Sequence, residues 1–249
     1  PGTQYNIYND GVYVGDHPLG PFTACPNNPF SYSPGGFCPG AGHGSTMEDR
    51  AGNWWHASTM RISVNHEFER RVGIWPAGFD EDGELFCNQR YGDWPQSVTG
   101  EKADPFAAPE WMLLSYRKTV TASSQEKPAE NVTDENVRTW WKAAGDDRNP
   151  WILLDLKELS AVHAVQINFA DDMGIVTKLP EGAKLIGEPD RGRYIEDRAF
   201  VTRWLLETSI DGAKWTVLED KRSCDTDLPH DLIVRPEGIE ARYLRLTIT

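Results

Sequence analysis

The sequence predicts an all-β protein built from two domains, and three observations support this. Short runs rich in Val, Ile, Tyr, Phe and Trp alternate with Gly, Pro and Asn along the chain, which is typical of strands joined by turns. No segment shows the 3.6-residue period of an amphipathic helix over helical length. Between Tyr91 and Pro109 the pattern fades into Gly, Pro and charged residues, as in a linker. We therefore predict domains at 1–110 and 111–249.

The bulk composition excludes several classes of function. The chain has 249 residues, a formal net charge of −13 and 39% hydrophobic residues, which is enough for two cores. An acidic surface argues against nucleic acid as a partner, because phosphates require a basic surface. The sequence has no apolar run long enough to span a membrane and no signal-peptide pattern. It starts without Met, which we interpret as a fragment or a processed chain.

Four cysteines occur without any Cys-x-x-Cys pair, so a zinc or thioredoxin-like motif is not expected. Cys25 and Cys38 flank a loop rich in Pro and Gly, where a disulfide is one alternative. Cys224 belongs to the second predicted domain, which makes complete pairing unfavourable. We expect mostly free, buried thiols at Cys25, Cys38, Cys87 and Cys224.

The first domain reads as antiparallel hairpins. Gly52-Asn53 and Asp82-Gly83 are turn signals between apolar runs. Hairpins of this kind form the blades of β-propellers. The predicted strands are Gly11–Gly15, Gly44–Glu48, Trp54–Met60, Arg71–Phe79 and Leu85–Cys87.

A histidine among small residues, in the stretch 40–45, leads into the first long hairpin, and a second histidine, His56, lies on its return strand. Glycines allow the backbone to approach a ligand closely, and a buried imidazole can coordinate a metal or donate a hydrogen bond. The alternative is a tight hairpin around a histidine satisfied within the core. The spacing leaves both interpretations open.

The ordered set of Asp10–Phe22, the Gly-His-Gly-Ser segment and Pro76–Gly83 resembles the last part of a five-bladed β-propeller of glycoside hydrolase family 43, over roughly residues 1–100. The resemblance implies that His43 lies near the propeller axis, under a sugar pocket and often beside a metal ion. A five-bladed propeller needs about 20 strands, so this chain would supply only part of one. The three catalytic carboxylates of that inverting family lie on blades upstream, and we assign no catalytic residue here.

Substrate contacts are the better prediction within this chain. Besides His43, the candidates are cationic or aromatic side chains on predicted strands or strand ends. An arginine can form paired hydrogen bonds with polar groups, and a tryptophan face can stack on a sugar ring. For each tryptophan a place in the core is the alternative. The predicted substrate-binding residues are His43, Trp55, Arg61, His66, Arg71 and Trp75.

The second domain contains apolar strands at Trp151–Leu156 and Val162–Phe169, an Asp211-Gly212 turn, and a terminal strand at Ala241–Ile248. This set resembles the discoidin domain, the coagulation-factor type C module, and is similar to carbohydrate-binding module family 32, over about residues 115–249. The resemblance implies an eight-stranded jelly-roll β-sandwich with ligand loops at one end. The 169–204 segment is a long insertion relative to that family.

The same resemblance implies a structural calcium ion. Asp134 matches the family's acidic ligand, and Thr139 matches its hydroxyl ligand, while backbone carbonyls complete the oxygen shell that calcium prefers. Glu135 stands where the family has glycine after the aspartate. The alternative is that Asp134 only caps a turn. Calcium is therefore predicted at Asp134 and Thr139, and a metal ion is also predicted near His43.

Together these features predict a secreted, periplasmic or cell-surface bacterial protein that acts on plant or host polysaccharides. The leading hypothesis is a glycoside hydrolase of the arabinofuranosidase or xylosidase type with an appended glycan-binding module. In that hypothesis the upstream part of the same propeller is a partner of this chain. The alternative is a non-catalytic glycan-binding or adhesion protein with a degenerate propeller.

Overall fold

The computed structural model describes residues 8–33, 40–61, 70–89, 96, 98–170, 181–182, 201–226 and 230–249. The predicted all-β class is confirmed, since these residues form strands and one short 3-10 helix, Ala129–Thr133. The strands are β1 (Asn9–Asp10), β2 (Tyr13–Val14), β3 (Thr23–Ala24), β4 (Ser31–Tyr32), β5 (Gly40–Glu48), β6 (Trp54–Arg61), β7 (Arg70–Phe79), β8 (Leu85–Cys87), β9 (Thr119–Ala122), β10 (Trp151–Asn168), β11 (Trp204–Ser209), β12 (Thr216–Asp220) and β13 (His230–Ile248).

The chain divides into two compact units, with the main division between Met112 and Leu113, next to the predicted boundary around residue 110. None of the described helices could span a membrane. Of the predicted site residues, His66 and the side chains of Arg61 and Arg71 lie outside the described part of the chain. Most of the predicted 169–204 insertion lies outside it as well.

The first unit is built on a four-stranded antiparallel sheet in the order β5-β6-β7-β8. The predicted turns are present, because Gly52 and Gly83 adopt positive φ angles of 84° and 78° that only glycine reaches without strain. Two small two-stranded sheets, β1-β4 and β2-β3, accompany it. A sheet of four meandering strands is the arrangement of one propeller blade. The propeller itself remains a prediction.

The predicted linker is irregular in structure but is fastened to the first unit. Asn88 Nδ2 donates hydrogen bonds to the carbonyls of Pro105 and Ala107, at 2.9 and 3.2 Å. Asn53 Nδ2 donates a hydrogen bond to the carbonyl of Glu101. The Phe106 ring stacks on the ring of Phe86, with the ring centroids 4.1 Å apart. Residues 101–107 therefore belong to the packed structure of this unit and do not form a free tether.

The second unit is built on a five-stranded antiparallel sheet in the order β12-β11-β13-β10-β9. Its two longest strands, β10 with 18 residues and β13 with 19, pair with each other along most of their length. Their register shifts between Asp155 and Ser160 and again between Val162 and Ala164. Bulges of this kind bend a sheet and increase its twist.

The core shows that this sheet folds over on itself. Ile233 and Leu246 lie on the same strand, β13, and would be about 43 Å apart in a straight strand. Both nevertheless belong to one buried cluster, together with Trp204 and Leu206. The two halves of β10 and β13 must therefore face each other across this core, so that one bent sheet supplies two layers. This is how a β-sandwich buries both of its inner faces.

Candidate functional site

The first candidate site is the irregular start of β5, at residues 40–44. Two non-glycine residues here have positive φ angles, 131° at Ala41 and 57° at His43. The pairing with β6 is shifted twice across the same residues. Backbone conformations of this kind cost about 1–3 kcal/mol each and persist only where surrounding structure enforces them. The His43 side chain is exposed at this bulge.

Asp10 holds the bulge in place. Its Oδ1 accepts a hydrogen bond from the His43 backbone N–H at 2.9 Å, and its Oδ2 accepts one from the Gly44 N–H at 2.7 Å. Bonds to an ionised carboxylate are about twice as strong as neutral ones. One side chain on β1 thus fixes the two peptide groups that set the direction of His43.

His56 lies directly beneath the same bulge. It is a buried residue with 2% of its surface exposed, packed edge-to-face against Phe30 and stacked against Trp75. Its Nδ1 lies 2.9 Å from the hydroxyl of Thr46, whereas its buried Nε2 makes no hydrogen bond within the described residues and lies 3.6 Å from Asp10 Oδ2. Burial lowers the pKa of the His56 imidazole, and the charge of Asp10 opposes this shift.

The predicted aromatic contacts of this unit serve its packing. Trp75 is 4% exposed and belongs to the core cluster with Ala41 and Met60, so its face is not available for a sugar. Trp55 is half-buried, and its indole N–H donates to Asp49 Oδ2 at 2.9 Å. Asp49 also receives the N–H groups of the following turn, and these hydrogen bonds lower its pKa to about 2. The structure thus ties Trp55 to its own hairpin.

The cysteines agree with the prediction of free thiols where they are described. Cys25, Cys87 and Cys224 are free, which excludes a disulfide between Cys25 and Cys38 in this structure; Cys38 itself lies outside the described residues. Burial raises the pKa of the Cys87 thiol to about 12. A thiol with so high a pKa is neutral and unreactive at physiological pH.

The second candidate site is the loop that directly follows the 3-10 helix Ala129–Thr133. Asp134 caps the end of that helix, and its Oδ2 accepts a hydrogen bond from the Thr139 hydroxyl at 2.6 Å. The two side chains that the sequence paired as calcium ligands therefore lie in contact. Glu135 between them has a φ of 57°, the left-handed conformation that glycine adopts most easily.

Two tryptophans follow this loop immediately. The carbonyl of Trp140 accepts a hydrogen bond from Asn131 Nδ2 at 2.9 Å, and the ammonium of Lys127 lies 3.1 Å from the centroid of the Trp140 ring. The indole N–H of Trp141 donates to the carbonyl of Ser124 at 2.9 Å. Both rings are half-buried. The segment 124–141 is therefore tied together as one loop structure at a sheet end.

The residues of this loop fit a hard cation. Calcium takes six to eight oxygen ligands from carboxylates, hydroxyls and backbone carbonyls, and Asp134 with Thr139 supplies two such groups side by side. Within the described ranges no three His, Cys, Asp or Glu side chains are grouped as a metal site, at either candidate site. A cation at the Asp134 loop would therefore depend on backbone oxygens for most of its shell. In the described part of the His43 bulge, no group of metal-binding side chains surrounds the histidine.

The sequence patterns assigned no role to Asp10, and they identified His56 on the hairpin without its partner. Asp10 and His56 lie far apart in the chain, and neither belongs to a spacing motif. The one sequence signal is Gly44, because a Cβ there would lie 2.4 Å from His56 Cε1 and 2.7 Å from Asp10 Oδ2. Only glycine leaves room for these two side chains next to residue 44. The sequence shows the glycine, but only the fold shows which side chains approach it.

Comparison with protein-family models finds no match for the sequence, and neither does comparison with curated proteins. Among solved structures, the chain is similar to a chitosan-binding module of a chitosanase/glucanase from Paenibacillus sp. IK-5, at 22% identity and a TM-score of 0.39, over 55% of this chain and 85% of the module. A similar likeness, at 16% identity and a TM-score of 0.42, extends over 57% of this chain and 82% of a family 32 carbohydrate-binding module from Clostridium perfringens in complex with GlcNAc-α-1,4-galactose.

A third similar structure is a glycoside hydrolase, at 19% identity and a TM-score of 0.39. The likeness covers 96% of this chain but only 50% of the hydrolase, so the chain spans about half of that protein's length. Solved structures similar to this chain therefore include family 32 carbohydrate-binding modules and a glycoside hydrolase. At these identities and scores the likeness is one of overall fold only.

Proposed function

We propose that the second unit of this chain is a calcium-stabilised glycan-binding module of a secreted carbohydrate-active protein. The observation that carries the proposal is the Asp134 loop. Its carboxylate and the Thr139 hydroxyl are in contact, and Glu135 holds the left-handed turn between them. These are the positions at which the discoidin resemblance predicts the calcium ligands.

The architecture supports the same proposal. The bent five-stranded sheet packs two apolar clusters, and side-chain hydrogen bonds tie the loop of residues 124–141 together. A loop on a rigid sandwich is a common place for a binding site, because the scaffold fixes its shape. The net charge of −13 also favours a neutral glycan over a polyanion, which a surface of this sign would repel.

Calcium would act here as a structural ion. Asp134 and Thr139 would hold it, and it would supply a fixed positive charge that draws the loop oxygens together. Hydrogen bonds within the chain hold the other parts of the loop. The hydrogen bond from Asn131 orients the Trp140 backbone, and the bond from Trp141 to Ser124 fastens the other side of the loop.

Affinity electrophoresis through gels that contain a soluble polysaccharide tests the proposal. The full chain is run in gels with galactan, xylan or arabinan, with calcium and with a chelator. Asp134→Ala is compared with Asp146→Ala, which removes an exposed carboxylate from a nearby turn. We expect retardation in at least one polysaccharide, its loss in Asp134→Ala and its retention in Asp146→Ala. Unretarded migration of the wild-type chain in every gel would contradict the proposal.

The finer proposal is that the first unit contributes blades to a glycoside hydrolase of the arabinofuranosidase or xylosidase type. The four-stranded antiparallel sheet supports it, as does the bulge that presents His43. The test is hydrolysis of aryl arabinofuranosides and aryl xylosides by a protein that carries upstream sequence fused to this chain. Glycan retention without hydrolysis by such a protein would favour the adhesion alternative.

A further inference from the structure

The start of β5 contains two non-glycine residues with positive φ angles within three positions, and side chains of Asp10 and Ser31 both bind its backbone. Ala41 and His43 adopt positive φ angles, and the His43 and Gly44 N–H groups both donate to Asp10. Strain of this kind is retained only when surrounding contacts impose it. The conformation of the bulge therefore depends on where the Asp10 carboxylate points.

A buried imidazole competes for the same carboxylate. His56 Nε2 lies 3.6 Å from Asp10 Oδ2, the oxygen that accepts the Gly44 N–H at 2.7 Å. The distance to Nε2 is longer than a hydrogen bond, so Asp10 is engaged by the bulge and not by the imidazole in this arrangement. A shift of less than 1 Å in the carboxylate would reverse that preference, since a charged N–H···O bond is about 2.7–2.9 Å long.

We propose that Asp10 and His56 form a proton-operated latch on the His43 bulge. With His56 neutral, Asp10 holds the His43 and Gly44 peptides and the bulge keeps its strained shape. Protonation of His56 gives Nε2 a charged N–H that draws Asp10 Oδ2 away from Gly44. The bulge is then released, and the exposed His43 side chain changes its direction.

Among the residues that the structure describes, Asp10 is the principal charged neighbour of His56. Thr46 on β5 faces Nδ1, Phe30 and Trp75 cover the ring, and Cys87 on β8 stays a neutral thiol because burial raises its pKa to about 12. The Thr46 hydroxyl can donate to or accept from Nδ1, so it satisfies either protonation state. The charge change on His56 is therefore felt mainly through Asp10.

The latch is independent of glycan binding by the second unit, and it is tested on the full chain. The measurement is a pH titration from 8 to 4.5 by nuclear magnetic resonance, which follows the backbone amide of Gly44 and the ring nitrogens of His56. We expect the Gly44 amide resonance to shift with one midpoint, equal to the midpoint of the His56 ring nitrogens and below pH 6.5. His56→Gln removes this shift, whereas His17→Gln, a change at an exposed histidine, leaves it intact.

Asp10→Asn provides a second arm in case His56→Gln does not fold. Without the carboxylate charge, His56 titrates at lower pH and the Gly44 amide no longer follows it. The proposal is overturned if the Gly44 amide stays constant while His56 titrates. It is equally overturned if the Gly44 shift persists in His56→Gln, because Asp10 alone would then explain it.

Discussion

Two aspartates in different regions of this protein each lie next to a non-glycine residue with a φ of 57°, and they differ in what else surrounds the carboxylate. Asp10, in the first unit, accepts two backbone N–H groups under His43 and faces the buried imidazole of His56. Asp134, in the second unit, precedes Glu135 and accepts the Thr139 hydroxyl. A histidine nitrogen next to a carboxylate gains or loses a proton as the pH changes. A carboxylate next to other oxygen atoms is the kind of site that a hard cation such as calcium prefers.

On our two proposals these carboxylates respond to different solution variables. Asp10 responds to pH through His56, and Asp134 responds to calcium concentration together with the oxygen of Thr139. The following changes would break or sharpen the contrast, from the largest expected effect to the smallest.

Gly44→Ala should have the largest effect, because the new Cβ would lie 2.4 Å from His56 Cε1 and 2.7 Å from Asp10 Oδ2. Overpacking against two fixed polar groups should lower the free energy of unfolding of the first unit by about 3 kcal/mol. Gly145→Ala is the matched control, since nothing lies within 4 Å of its Cβ position. Chemical denaturation measures both. Equal free energies of unfolding for the two variants would show that the bulge accommodates the alanine without loss of stability.

Removal of calcium should be nearly as large an effect, and it should be confined to the second unit. A ligand present at a hundredfold excess over its dissociation constant stabilises the folded state by about 2.7 kcal/mol. Asp134→Ala should abolish this gain, and Asp146→Ala should preserve it. Thermal unfolding with calcium and with a chelator measures the difference. If calcium still stabilises Asp134→Ala against thermal unfolding, the ion does not bind at Asp134.

Acidification should destabilise the first unit before the second. The folded pKa of His56 lies below its unfolded value of about 6.5 because the ring is buried, so the unfolded chain binds the proton first and stability falls as pH drops below 6.5. Hydrogen bonds from Arg242 hold the pKa of Asp155 well below its usual range, so stability from that group is lost only as pH falls below about 4.

The two pH windows can be separated by calorimetry between pH 7.5 and 3. The pH dependence between 6.5 and 4.5 should disappear in His56→Gln and persist in His17→Gln. If the stability of the wild-type chain stays constant until pH 4, protonation of His56 is not linked to the stability of the first unit.

Glu135→Gly should have the smallest effect, and it should be stabilising. A left-handed L-residue costs about 1–2 kcal/mol, and the extra chain entropy of glycine in the unfolded state offsets part of the gain. The expected net increase in the free energy of unfolding is about 0.5–1 kcal/mol, measured by chemical denaturation. The same replacement at Glu130, a residue of the 3-10 helix, should be destabilising. A loss of stability in Glu135→Gly would mean that the glutamate side chain itself supports the loop.

Local patterns in the sequence identified features that depend on neighbouring residues. The Gly52-Asn53 and Asp82-Gly83 turns and the strand Leu85–Cys87 were predictable in this way, whereas the pairing of Asp134 with Thr139 came from the discoidin resemblance. Each depends on the conformation or spacing of a few residues close together in the chain.

Features that depend on distant residues were not predictable. The sequence suggested separate strands at Trp151–Leu156 and Val162–Phe169, whereas β10 runs through both, because the polar bulge around Lys157 bends the strand without ending it. The predicted linker packs on the first unit through amides contributed by other hairpins. Asp10 and His56 meet only after folding, so no spacing rule connects them.

The central claim is that the second unit binds glycan through a structure that depends on calcium. Its most direct test is calorimetric titration of the full chain with oligosaccharides ending in galactose or N-acetylglucosamine, with calcium and after chelation. We predict saturable binding of at least one sugar, weakened by chelation or by Asp134→Ala and unchanged in Asp146→Ala. The absence of binding to every sugar by a folded, calcium-loaded chain would contradict the account.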